Sequence, residues 1–107
     1  MKLKVIYKNQ LDAGELWNDR EGYHFKYYSD FINNPETIPI SVNFPKVETT
    51  FHSSRLFAFF YSILTEGEQK KEQTKALGID PADTFTRLAL TKELGEIGGV
   101  TLKLIEK

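Results

Sequence analysis

The sequence predicts an α+β domain: a small antiparallel β-sheet or partial barrel, about three helices packed on one side, and a C-terminal strand returning to the sheet. Hydrophobicity alternates with period two from residue 2 to about 52, turns helical from 54 to about 94, and alternates again from 98 to 106. The chain's 107 residues fit one domain spanning 1–107. A 40% hydrophobic share with eight Phe and five Tyr supplies a core rather than a disordered chain.

The elements follow in order. Leu3, Val5 and Tyr7 point one way and Lys2, Lys4 and Lys8 the other, as in a half-buried strand. Asp12-Ala13-Gly14 is expected to break it, with a short segment resuming at Leu16-Trp17. Glu21-Gly22 signals the next turn, before the aromatic alternation of Phe25 and Tyr27. Asn33-Asn34-Pro35 closes that unit. Ile38, Ile40, Val42 and Phe44 then fall on one face between two prolines, predicting an edge strand or an extended segment on the core.

Leu56, Phe59, Phe60, Ile63 and Leu64 carry the strongest helical spacing, widened by the pair Phe57 and Tyr61. They predict the central core helix, capped by Ser53 or Ser54. Glu68 to Leu77 reads as a polar helix stopped by Gly78. Asp80-Pro81-Ala82-Asp83 starts a third, with Phe85, Leu88 and Ala89 inward and Gly95 at its end. Gly98-Gly99 turns the chain into Val100, Leu102 and Leu104, the last strand.

Composition excludes several chemistries. Without cysteine there is no disulfide, thiolate metal site or Cys nucleophile, which suits a reducing, cytoplasmic setting. Fourteen Lys+Arg against fifteen Asp+Glu give no general attraction to nucleic acid. Lysines interrupt the apolar residues of the N-terminus, so no signal peptide or membrane span is expected. Met1 just before the first strand, and an end soon after the last, lead us to expect a complete small protein.

No catalytic, cofactor or metal set emerges. His24 and His52 lack a further ligand at helical metal spacing, and Gly98-Gly99 lacks the Lys-Ser/Thr of a phosphate loop. Lys70, Lys71 and Lys75 interleave with Glu68 and Glu72 as a solvated face. Glu66 and Glu68, acids at a helix start, together with His52 leave a small hydrolase as the one enzymatic alternative. Trp17, flanked by Asn18, Asp19 and Arg20, reads as a partly buried core residue or an interface anchor. Leu64-Thr65-Glu66-Gly67-Glu68 reads as a turn between helices, relieved by Gly67.

Taken together, Gly14-Glu15-Leu16, Phe25, Tyr27, Phe31-Ile32, Pro39-Ile40-Ser41, Phe44-Pro45, Phe59-Phe60, Leu64-Thr65-Glu66-Gly67, Asp83, Phe85, Leu88 and Gly98-Gly99-Val100 form an ordered set. That set resembles the N-terminal subdomain of HipA-type serine/threonine kinases, the toxins of HipBA-like toxin–antitoxin systems, from about residue 3 to 104. Thr65 stands where the family usually has proline, and Glu68 where many relatives carry an apolar or basic residue. The family's kinase core follows this subdomain, whereas this sequence ends at Lys107.

The resemblance thus implies a small subunit of a split HipBST-type system: a non-catalytic regulatory partner, antitoxin-like, docking on a separately encoded HipA-like kinase. A third component would supply DNA binding. The interface is expected at Leu64, Thr65, Glu66, Gly67, Glu68 and Gln69, with Trp17 as a further anchor. A softer version has the domain complete the kinase fold in trans without inhibiting it.

Overall fold

The computed structural model describes residues 2–8, 10–70, 87–88 and 99–106. Strands β1 (Lys2–Tyr7), β2 (Leu11–Asp19), β3 (Gly22–Tyr27), β4 (Thr50–Ser53) and β5 (Val100–Glu106) form one open sheet, all pairs antiparallel. Its order is β4-β3-β2-β1-β5, so the C-terminal strand returns beside the first. Helices α1 (Ser29–Asn33) and α2 (Ala58–Lys70) complete the bounded elements, and Arg87 and Leu88 are also helical. The architecture is the α+β arrangement that the sequence predicts.

Alternation places Leu3, Val5 and Tyr7 of β1, Leu16 of β2, Phe25 and Tyr27 of β3, and Val100 and Leu102 of β5 in one core. Phe60, Ile63 and Leu64 of α2 and Leu88 join them. Each such aliphatic or aromatic side chain contributes about 1.5–3 kcal/mol by leaving water. The helical stripe is narrower than the sequence suggests: Phe57 is half-buried, but Tyr61 faces solvent.

Four local expectations are corrected. Asp12-Ala13-Gly14 does not break a strand. The β1–β2 register passes from Val5↔Gly14 to Ile6↔Asp12, leaving Ala13 as the extra residue of a β-bulge inside β2. The chain reverses after β1 instead, where the Gln10 amide donates to the Tyr7 carbonyl (3.0 Å) and Lys8 takes φ 50°.

Residues 38–44, the second, pack on the core as one of the two readings has it, but they form no strand and do not share one face. Ile40 and Phe44 are buried while Ile38 and Val42 are exposed. Side chains four apart enter the core because the segment is pinned by polar anchors rather than by a ladder. The buried Tyr27 hydroxyl donates to the Phe44 carbonyl (2.6 Å) and accepts from the Ile40 amide (3.1 Å). The Lys46 ammonium donates to the Asn34 and Thr37 carbonyls (both 2.9 Å) and to the Thr37 hydroxyl (2.8 Å).

Third, Ser53 and Ser54 do not cap the core helix. Ser53 ends β4, its hydroxyl accepts from the Arg55 amide (3.2 Å), and α2 begins only at Ala58. Fourth, Leu64 to Glu68 is not a turn, since α2 runs through it to Lys70. The expected stop at Gly78, the Asp80-Pro81 start, Phe85, Ala89 and Gly95 lie outside the described residues.

The fold also perturbs two tyrosines. Burial raises the Tyr27 phenol. Burial, then the hydrogen bond to Glu15 (3.1 Å), pushes Tyr28 up to about 12. Both phenols keep their proton in the folded state after an unfolded tyrosine, with a pKa of about 10, has lost it. Their stabilisation is therefore complete below about pH 10 and is lost as pH rises through the folded values. Alkaline titration of the phenolate absorbance should show two late tyrosines, and Tyr28→Phe should remove one of them.

Candidate functional site

Leu64 to Gln69 occupies the second half of α2, because good helix formers on both sides carry the helix through Gly67 at a cost of about 1 kcal/mol relative to alanine. Leu64 is buried in the core. The side chains of Thr65, Glu66, Gly67, Glu68 and Gln69 lie outside the described residues.

Trp17 sits elsewhere. In β2 it alternates with the buried Leu16, so it faces away from the core that α2 covers. The structure thus does not bring Trp17 and the 64–69 segment onto one surface.

What it does bring together is a row across the outer face of the sheet. Lys2 lies opposite Trp17, Trp17 opposite His24, and His24 opposite His52. The Trp17 and His24 rings stack (5.2 Å, 16°), the two imidazoles are 4.9 Å apart, and the Lys2 ammonium lies 5.5 Å from the indole centre. Trp17 is half-buried by these neighbours. Period-two reading puts each residue on this face, but only the strand register lines them up.

The row ends in a polar cluster at the β2–β3 hairpin. Asp19 Oδ1 lies 2.9 Å from His24 Nε2 and accepts from the Glu21 amide at 2.8 Å, so its carboxyl is held below the usual value of 3.8. His52 Nε2 lies 2.7 Å from the Glu21 carbonyl. Ligand atoms of Asp19, Glu21 and His24 come within 4.8 Å of one another, a grouping made by the turn of the β2–β3 hairpin. Lys2 pairs with Glu15 (3.8 Å) and Lys4 with Asp12 (3.3 Å), partly exposed pairs each worth up to about 1 kcal/mol. His52, the third member of the hydrolase alternative, is thus engaged on the face opposite α2.

Comparison with known proteins is decisive for ancestry. Residues 3–102 match the HipA N-terminal domain model. The chain belongs to the HipA N-terminal domain family. An uncharacterized protein of Haemophilus influenzae is 34% identical over 90 residues, covering 84% of this chain and 80% of that protein. A Sinorhizobium fredii protein named "Putative kinase Y4mE" is 32% identical over 77 residues, 71% of this chain but only 18% of its own length. A solved structure titled "N-terminal domain of HipA toxin" superposes with a TM-score of 0.69 at 34% identity, covering 99% of this chain and 93% of that one. Among the described residues, no helix is long and apolar enough to cross a membrane.

Proposed function

We propose that this protein is a non-catalytic regulatory partner of a separately encoded HipA-like serine/threonine kinase, acting as its antitoxin in the cytoplasm. One observation carries the reading. The same domain makes up most of the small Haemophilus protein and under a fifth of the kinase-named Sinorhizobium protein. A unit found both within a longer kinase-named chain and as most of a small protein is suited to docking on the kinase from outside. Its action would be to occlude the kinase or restrain its mobile parts, with any DNA contact made by a third component.

The Sinorhizobium arrangement also favours a second reading, in which the domain completes the kinase fold in trans and supports activity. Titrating the protein into the kinase encoded beside it and following autophosphorylation separates the two. Saturable loss of activity at one equivalent is the expected result. A gain would make the protein an activating subunit, and no complex at micromolar concentration would remove both readings.

A further inference from the structure

We propose that the outer edge of β4 and the groove beside it capture an extended segment of the partner kinase as an added strand. The proposal rests on the kinase reading above and names the surface that serves it. β4 ends the sheet order, so among the described residues no strand pairs with its outer side. Unpaired amides and carbonyls on an edge are matched best by another extended chain.

Beside that edge lies an open groove of about 450 Å³, bounded by the loop at 43–48, β4 and the first turn of α2. Phe44, Phe51 and Phe57 lie at its base, Asn43, Thr50, His52 and Ser53 give it a largely polar lining, and Ala58 stands at its exposed rim. The size falls within the roughly 300–1,000 Å³ of pockets that take small ligands, ample for a large apolar side chain. Among the described residues Glu48 is the one carboxylate lining it, which fits a basic residue next to that side chain.

Two exposed apolar side chains neighbour the lining residues in sequence. Val42 and Val47 precede groove-lining Asn43 and Glu48, and they are 93% and 89% exposed. Two β-branched side chains so fully in water, on a loop already fixed by Tyr27 and Lys46, form a pre-organised contact that a partner need not order. The occupant is therefore an extended kinase segment with an aliphatic or aromatic side chain flanked by Lys or Arg. A helix would leave the β4 edge unpaired.

The test uses the intact protein and the neighbouring kinase, with affinities from calorimetry and backbone protection from hydrogen exchange. Glu48→Lys reverses the rim charge and Ala58→Arg fills the groove. Both sites are solvent-exposed, so circular dichroism should show both variants folded. Each is expected to weaken binding at least tenfold, with Lys103→Ser on β5 binding as wild type. The outward amides of residues 50–53 should gain protection in the wild-type complex. Wild-type affinity in both variants with no added protection overturns the groove while leaving the kinase as partner. Weakened binding without protection at 50–53 overturns strand addition. Absence of any wild-type complex removes the kinase reading and this occupant with it.

Discussion

Phe44→Ala is expected to lower the unfolding free energy by about 3–5 kcal/mol, as deletion of a buried phenyl ring does elsewhere. That is a large share of the roughly 5–15 kcal/mol that holds a domain folded. The ring is buried and lies 4.9 Å from Phe25, 5.0 Å from Phe51, 5.1 Å from Phe57 and 5.8 Å from Phe60. It therefore joins β3, β4 and α2 although no regular element contains it. Its removal leaves a cavity walled by rings that strands and a helix hold in place, and such walls collapse poorly. The Tyr27 hydrogen bond to the Phe44 carbonyl survives the substitution, so the loss reports packing alone. Val42→Ala, two residues away in solvent, should stay within about 0.5 kcal/mol of wild type. Denaturant midpoints at unchanged slope check both. Equal midpoints for the two variants would mean that residues 38–44 do not enter the core four apart.

The elements that could be read from residues alone are those where a single period governs. Leu3-Val5-Tyr7, Phe25-Tyr27, Phe60-Ile63-Leu64 and Val100-Leu102 are buried as their spacing predicts. The misreadings share a cause: a residue pattern with two physical solutions. Ile38-Ile40-Val42-Phe44 fits a strand, but side-chain anchors from Tyr27, distant in sequence, and from Lys46, just past the run, select turns instead. Gly67 permits a turn, yet helix propagation around it prevails.

The site was less legible than the fold. Trp17 read as a core residue or an interface anchor, and its alignment with Lys2, His24 and His52 on the outer face needs cross-strand register, which no local pattern encodes. The groove likewise depends on three segments meeting, so Glu48 and Ala58 carried no signal in the sequence. Ancestry was readable because it rests on ordered residues and not on geometry, as the match over 3–102 shows.

Gly14→Ala should be strongly destabilising for so small a change, costing about 3 kcal/mol or more. A Cβ at this position would stand 2.2 Å from the Lys26 carbonyl oxygen and 3.0 Å from its carbon, far inside van der Waals contact. The obstacle is backbone of the neighbouring central strand, so no rotamer change relieves it, unlike ordinary overpacking at about 1–3 kcal/mol. β2 must instead separate from β3, and the strain falls beside the Ala13 bulge, whose carbonyl accepts from the Tyr28 amide (2.9 Å). Alanine's entropic advantage, about 0.4–1 kcal/mol through the unfolded chain, is too small to offset this. Gly99→Ala makes the control because it separates space from conformation. Its Cβ would meet nothing within 4 Å, but its φ of +78° costs an L-residue roughly 1–2 kcal/mol. Thermal melts should therefore rank wild type above Gly99→Ala and Gly99→Ala above Gly14→Ala. The reverse order would contradict the close approach of β2 and β3, and with it the β2–β3 register that sets Trp17 opposite His24.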